Sequence, residues 1–447
     1  MFDLVIRGGE VVDAEFSGKA DIAIRQGRIA ELLAPGSPAE TQDTVDASGL
    51  LILPGLVDAH VHLREPGLTH KEDFETGTRA AAAGGVTTVM VMPTDNPLTL
   101  TPDQFIQKRE LGERAVHVDF ALQAGLGPDL QHVRMLTELG AISFEIFLAD
   151  VSPAILIADA ETLLQALSTV ESCGAIAGIT PGDHDLVTRR TAAARAASKG
   201  DWGDFPASRP SISEALGVGR ACVAARETSA RMHLRQISCR ASLAVLRGMA
   251  ASPQISAEVT PHNLVLDEEE LLRQGPFAKV APPLRSRDDV LAMRDALKDG
   301  TIQIVATDHA PHLPEEKEAG MSDIWKAPGG LPGLQTFLPV MLGLIQEGCL
   351  SMQDLVRTCA TEPARRFGLF PRKGAIRPGS DADLVFVNPL ERFRIRNEDQ
   401  YSKSRRTPFD GREVRGRPVR AYLAGIEIMR DGKVDGNPRG RFVRPAR

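Results

Sequence analysis

The chain has 447 residues, of which 43% are hydrophobic and 25% are charged. These fractions are those of an ordinary globular protein, and the length predicts one large domain with a smaller one beside it. The formal net charge of -7 argues against a protein that binds nucleic acid.

Three further features narrow the class of protein. No apolar run reaches the ~18 residues of a membrane-spanning helix, so we expect no membrane partner. The first residues lack the basic stretch and apolar core of a secretory signal, which predicts a cytoplasmic location. The 5 cysteines are widely spaced and odd in number, so they predict free thiols rather than disulfides or a cysteine zinc site.

Both ends of the chain are predicted to be rich in β-structure. The first 54 residues alternate apolar and polar positions, with Gly, Pro and Asp between the runs. Strand-like runs return at 383–387 and 419–429. We therefore expect the termini, residues 1–54 and 366–447, to pair into one small β-sandwich domain.

The middle of the chain, residues 55–365, alternates strand-like runs with helical segments, which is typical of parallel βα units. Helices are predicted at 74–83, before Gly84-Gly85, and at 288–298, before Asp299-Gly300. Eight candidate strands are found at 56–62, 86–92, 116–123, 141–148, 174–180, 231–238, 255–260 and 302–308. This pattern predicts an α/β fold, a (β/α)8 TIM barrel, with its chemistry at the carboxyl ends of the strands.

The most informative chemical feature is a pair of histidines in the first candidate strand. His60 and His62 are two residues apart, so on a strand both imidazoles point to the same face. Both can then reach one metal ion at roughly 2.0–2.1 Å, the Zn–N distance. Asp308 ends the last candidate strand. The combination predicts a metal-dependent hydrolase.

Several motifs resemble those of the cyclic amidohydrolases, the group that includes dihydroorotase, allantoinase and hydantoinase. Residues 57–67 read Val-Asp-Ala-His-Val-His-Leu-Arg-Glu-Pro-Gly and look most like dihydroorotase. Further matches are Pro261-His-Asn-Leu, Pro282-Pro-Leu-Arg, Thr307-Asp-His-Ala-Pro-His and Gly379-Ser-Asp-Ala-Asp-Leu. The resemblance covers nearly the whole chain and implies the same barrel-plus-sandwich architecture.

The resemblance also implies a metal site. His60, His62 and Asp308 would hold a divalent ion, which we expect to be Zn2+. Asp308 would in addition carry the proton from water to the leaving nitrogen, while a metal-bound hydroxide opens the C–N bond of the ring.

Three positions depart from the family pattern. Glu145, in Phe-Glu-Ile-Phe, stands where the family has a carboxylated lysine that bridges two ions, and Thr180 and Gln236 stand where it has histidines specific to the second ion. Neutral oxygen ligands are weak for zinc, so we predict one ion rather than two. We predict Glu145 as a further metal ligand, directly or through water. The alternative is a buried glutamate that is satisfied by a cationic or hydrogen-bond-donating neighbour.

The resemblance implies substrate contacts as well. Arg64 would bind a substrate carboxylate, because the guanidinium fork donates two parallel hydrogen bonds to a carboxylate. His312 would be a second contact. The family places an asparagine after Met-Pro, where this chain has Thr94, and Asn96 two residues later is the predicted third contact.

Two functions remain open from the sequence. The first is a dihydroorotase-like hydrolase of pyrimidine biosynthesis or a related enzyme acting on another small cyclic amide or imide. The second is a catalytically inactive dihydroorotase-like subunit that acts as a scaffold, for example with aspartate transcarbamoylase. The retained His60, His62 and Asp308 favour the enzyme. Relatives are commonly dimers or tetramers, so we expect a homo-oligomer.

Overall fold

Parallel strands form a closed ring in the computed structural model, which describes residues 1–198, 200–249 and 252–446. The barrel strands are, in order, Leu56–Val61, Val86–Val91, Asp119–Leu122 continued by Ala124–Gly125, Phe144–Phe147, Ala177–Thr180, Met232–Leu234, Ile255–Val259 and Ile304–Val305. Each pairs in parallel with its neighbour. A parallel bridge between Val61 and His309 closes the ring. The predicted TIM barrel is therefore confirmed.

The observed strands are shorter than the predicted apolar runs, at both their amino and carboxyl ends. Ile142, Ile176 and Ile302 precede their strands and are nevertheless buried. Ile142 and Ile176 pack into the same apolar cluster as Met90 and Phe367. Because burial selects apolar residues whether or not they join a ladder, hydrophobicity alone overestimates strand length.

Helices cover the outside of the barrel. The two helices predicted from sequence are confirmed at Phe74–Ala83 and Arg287–Lys298. The first begins at Asp73, whose side chain accepts a hydrogen bond from the backbone N–H of Thr76, and ends at Gly84. The other α-helices are Pro102–Ala115, Val133–Leu139, Ala160–Ser172, His184–Ala197, Asp204–Ser208, Ser211–Thr228, Arg240–Gly248, Pro261–Val265, Glu269–Gln274, Pro314–Glu318, Phe337–Gln346, Met352–Val356 and Glu362–Arg366.

Two further sheets form the β-sandwich. The four-stranded sheet has the order Arg28–Leu33, Asp21–Arg25, Phe2–Arg7 and Thr41–Asp46. The seven-stranded sheet has the order Lys433–Val434, Ile426–Arg430, Glu413–Leu423, Leu384–Arg394, Leu51–Pro54, Glu10–Val12 and Ser17–Lys19. Strand Leu384–Arg394 pairs with Leu51–Pro54, so one sheet combines both ends of the chain. The sandwich built from both termini is confirmed, and the domain boundaries at 54/55 and 365/366 stay a prediction.

The carboxyl ends of the barrel strands hold the candidate site. His60 lies in the first strand, His62 follows its end, and Asp308 follows the eighth strand. Within the described ranges, every helix is too short or too polar to cross a bilayer.

Candidate metal centre and active site

Three side chains converge at the carboxyl end of the barrel. His60 Nε2 lies 3.3 Å and His62 Nε2 lies 3.2 Å from Oδ1 of Asp308. Four ligands of a tetrahedral zinc ion at ~2.0–2.1 Å are about 3.3–3.4 Å apart, so these distances match the edges of such a tetrahedron. The predicted ligands His60, His62 and Asp308 are thus brought together.

Each imidazole is held by its other ring nitrogen. His60 Nδ1 lies 2.6 Å from Oε1 of Glu258, and His62 Nδ1 lies 2.7 Å from Oγ1 of Thr94. In the tautomer that donates a hydrogen bond from Nδ1 to this carboxylate, the Nε2 lone pair of His60 faces Asp308. Such partners orient ligand histidines in metal proteins.

The residues present fit a divalent ion. Asp308 Oδ1 is buried and has no well-formed hydrogen bond within the described residues, although two imidazole nitrogens face it. The other oxygen, Oδ2, accepts a hydrogen bond from the amide of Gln236. A catalytic zinc site has three protein ligands and one position open to water or substrate, and these three side chains at the cavity match that number.

The electrostatics of the three groups favour a cation between them. Burial opposes protonation of His62 and lowers its pKa to about 3. Burial also disfavours the charged form of His60, but the carboxylates of Asp308 and Glu258 outweigh it and raise its pKa. Asp308 has a lowered pKa, because the two imidazoles outweigh the effect of its burial. A carboxylate that is buried and ionised requires a positive partner.

Backbone strain is also found at this cavity. Asp308, Gln236 and Arg64 have φ angles of 47°, 52° and 60°, in the left-handed region. Non-glycine residues rarely adopt this conformation, and it costs on the order of 1–3 kcal/mol where the surrounding structure enforces it. The strain points the side chains of three strand-end residues into one cavity.

Glu145 lies outside the group of three candidate ligands, so the structure does not support the prediction of a direct metal ligand at this position. Its carboxylate accepts hydrogen bonds from the guanidinium of Arg235, and both side chains are fully buried. The side chains at this cavity that lie close enough together to hold an ion are those of His60, His62 and Asp308. The glutamate side chain is shorter than a carboxylated lysine, and a neighbouring guanidinium satisfies its charge, so the alternative considered from sequence applies.

Arg64 and His312 lie together on one wall of a cavity of about 410 Å³ that also contains the three ligand residues. Arg64 Nη2 is 3.3 Å from His312 Nε2. Arg64 is 9% exposed, and no carboxylate of the described chain forms an ion pair with it. Burial, together with the charge of Arg64, lowers the pKa of His312 to about 2, so this imidazole is neutral. A buried guanidinium without a carboxylate partner has the charge and the free donors to bind an anionic group.

Asn96 does not contribute to this cavity, which corrects the third predicted contact. The residue is exposed and is absent from the cavity wall. Thr94 contacts Nδ1 of His62 through its hydroxyl, and the next residue, Asp95, is buried against Lys108. Asn96 lies two residues beyond the position at which the family has its asparagine, and its side-chain amide lies outside the cavity.

We expect the substitution Asn96→Ala to leave kcat and KM within about twofold of the wild type, because an exposed side chain outside the cavity contributes little to binding. Steady-state kinetics on the preferred ring substrate measure this. A rise in KM of tenfold or more would return Asn96 to the substrate site.

A second group of carboxylates already surrounds a cationic side chain. Asp119, Asp381 and Asp383 lie close enough together to bind an ion. The ammonium of Lys373 lies among them, 2.5 Å from Asp119 and Asp383 and 2.9 Å from Asp381. This cluster is a buried ion-pair network at the opposite end of the third strand.

Sequence reasoning missed four residues that support the site, namely Thr94, Arg235, Gln236 in its role as a donor to Asp308, and Glu258. The sequence carries one signal for two of them, because Glu258 and Arg235 are charged residues within or beside apolar strand segments. Both are fully buried in the structure. Buried charges require partners, but the sequence does not identify them.

Comparison with known proteins places both halves of the chain in related families. Residues 49–242 match the dihydro-orotase-like family model, and residues 236–428 match the amidohydrolase family model. An allantoinase from Deinococcus radiodurans is 37% identical over 452 residues, which cover 99% of each chain. A dihydroorotase from Methanosarcina acetivorans is 34% identical over 95% of this chain and 91% of its own length.

Solved structures give the same result. The L-hydantoinase (dihydropyrimidinase) from Arthrobacter aurescens superposes with a TM-score of 0.96 and 31% identity, over 99% of this chain and 100% of that one. The resemblance drawn from the motifs is confirmed.

Proposed function

The chain belongs to the cyclic amidohydrolases of the amidohydrolase family, and we propose that it hydrolyses a ring C–N bond with the help of one divalent metal ion, zinc being the expected ion. The observation that carries the proposal is the convergence of His60, His62 and Asp308 on one point of a cavity at the carboxyl end of the barrel. When bound there, the ion would act as a Lewis acid and lower the pKa of water.

The chain itself supplies the proton transfer and the shape of the site. Asp308 holds one carboxylate oxygen toward the ligand position and the other against the amide of Gln236. A carboxylate fixed in this way can accept a proton from water and return it to the ring nitrogen as the C–N bond breaks. Phe147 and Val187 line the cavity and help to exclude bulk water.

The preferred substrate in this proposal is a cyclic amide that carries a carboxylate, as dihydroorotate does. The support comes from Arg64, which is buried, faces the cavity and has no carboxylate partner within the described residues. A charge-assisted pair with a substrate carboxylate would satisfy it.

Allantoin is the second candidate substrate. The relative reported above at 37% identity is named allantoinase. Asn96 also lies outside the cavity, so one of the three carboxylate contacts implied by the dihydroorotase resemblance is missing.

Metal removal tests the proposal directly. Protein from metal-replete growth is expected to contain about one equivalent of a divalent ion by elemental analysis, and chelation is expected to abolish hydrolysis of at least one ring in a panel of dihydroorotate, allantoin and hydantoins. Readdition of zinc should restore the rate. Absence of bound metal together with inactivity on all the rings would favour the scaffold role instead. Light scattering on the same sample measures the expected homo-oligomer.

A further inference from the structure

Arg235 is a fully buried cation beneath the three ligand residues. All five of its N–H groups have acceptors. Nε and Nη2 donate to Glu145, Nη2 also donates to the side-chain oxygen of Gln123, and Nη1 donates to Ala59 O and to Oε2 of Glu258, both at 3.0 Å. These partners come from four other barrel strands. The guanidinium therefore has one fixed orientation in the barrel interior.

The adjacent strand leaves room for the side chains of Glu145 and Arg235. Gly178 lies opposite Glu145 in the ladder, and a Cβ at Gly178 would come within 1.9 Å of Oε1 of Glu145. The next strand in the ladder brings His233 beside Gly178. Only glycine leaves room for the carboxylate and guanidinium together at this level of the barrel.

Arg235 acts on the ligand His60 through Glu258. Oε2 of Glu258 lies 3.0 Å from Nη1 of Arg235 and 2.8 Å from Nε2 of His233, and Oε1 lies 2.6 Å from Nδ1 of His60. With Oε2 held by two donors, Oε1 is fixed in the position that receives the Nδ1 proton. The unprotonated Nε2 of His60 is then held toward Asp308.

The charges of the buried network balance with one divalent ion. Glu145, Glu258 and Asp308 carry three negative charges, and Arg235 carries one positive charge, so two negative charges remain. One divalent cation neutralises them. Arg64, another buried cation of the cavity, is paired with the substrate carboxylate in the proposed function and is not part of this sum. A second divalent ion would leave two uncompensated positive charges in a buried site, which is strongly unfavourable.

We propose that Arg235 is a positioning residue that fixes the tautomer of His60 through Glu258 and, by its permanent charge, sets the capacity of the barrel at one divalent ion. The inference rests on the proposed metal-dependent function, and it concerns how the ion is held rather than which ring is opened.

The test uses variants that keep the net charge of the network. Glu145→Gln with Arg235→Gln removes one charge of each sign, and we expect it to bind one zinc ion with about 10- to 100-fold lower affinity, the usual effect of losing a group that orients a ligand. Arg235→Lys keeps the charge but loses the fork, so a smaller loss in the same direction is expected. Zinc affinity is measured by competition with a chromophoric chelator, and folding by circular dichroism.

The matched control is another buried pair beside the same cavity, Glu214 with Arg285, which contacts none of the three ligand residues. Glu214→Gln with Arg285→Gln is expected to keep the zinc affinity within about threefold of the wild type, as a merely structural ion pair should. An equal loss of affinity in both double variants would overturn the positioning role.

Wild-type protein provides a measurement that does not depend on a variant folding. In zinc-loaded, ¹⁵N-histidine-labelled protein, His60 should show a protonated Nδ1, and saturating zinc should give one ion per chain. A deprotonated Nδ1 or two bound ions would overturn the inference, and so would wild-type affinity in the Glu145/Arg235 double variant. These results leave the proposed function standing, whereas a wild type that binds no metal contradicts the function itself.

Discussion

Replacing Asp308 with asparagine is expected to lower kcat/KM by about 10²- to 10⁴-fold, the contribution of a positioned general acid–base. Asparagine retains an oxygen that can face His60 and His62, but it cannot accept a proton at neutral pH. Alanine removes the ligand atom as well, so we expect it to abolish ring hydrolysis and lower the bound metal. Steady-state kinetics combined with elemental analysis separate the two roles.

The control for Asp308 is another buried aspartate of the barrel. Asp119 begins the third strand at the opposite end and is bound to Lys373. Asp119→Asn should lower the free energy of unfolding without changing kcat, because the residue lies far from the cavity described above. Activity within tenfold of the wild type in Asp308→Asn, with the metal retained, would contradict the proton-transfer role.

Replacing Arg64 with methionine is expected to discriminate between substrates. Removing one partner of a buried charge pair costs about 2–4 kcal/mol, which corresponds to roughly a 30- to 1000-fold rise in KM for a ring that carries a carboxylate. An uncharged hydantoin makes no such pair, so its KM should change by less than about threefold. Arg64→Lys keeps the charge without the planar fork, so its KM for the carboxylate-bearing ring should lie between those of the wild type and Arg64→Met.

The comparison of charged and uncharged rings also decides the substrate class. A large effect confined to dihydroorotate would support the carboxylate-bearing substrate. Equal effects on dihydroorotate, allantoin and hydantoin would show that Arg64 supports the cavity wall, through its contact with His312, rather than binding the substrate.

The candidate metal ligands could be found from the sequence because local rules determine their positions. Alternation along a strand puts His60 and His62 on one face, and parallel strands in a barrel bring their carboxyl ends together, so Asp308 could be placed near them. The same rule gave the number of strands, since eight apolar runs were separated by helical segments. These features depend on periodicity, which each segment carries by itself.

The partners of the buried charges could not be found in this way. Arg235 meets Glu145 across 90 positions of sequence, and Glu258 meets His60 across 198. Such pairs depend on the register of several strands and on the room left by a glycine such as Gly178. The side chain of Asn96 could not be placed for a related reason. No periodic rule fixes where a side chain points when it lies two residues further along a loop.

The pairing of Glu145 with Arg235 constrains how this lineage could have diverged from barrels that hold two ions. A lysine at position 145 would place a second cation beside the guanidinium for as long as it was not carboxylated, whereas loss of Arg235 alone would leave a buried carboxylate without its cation. Either single replacement breaks a buried pair at a cost of about 3–5 kcal/mol. The effects of the two positions on stability therefore depend on each other, and reversion of one residue is destabilising until the other has changed. This coupling would favour retention of the one-ion arrangement in descendants of this chain.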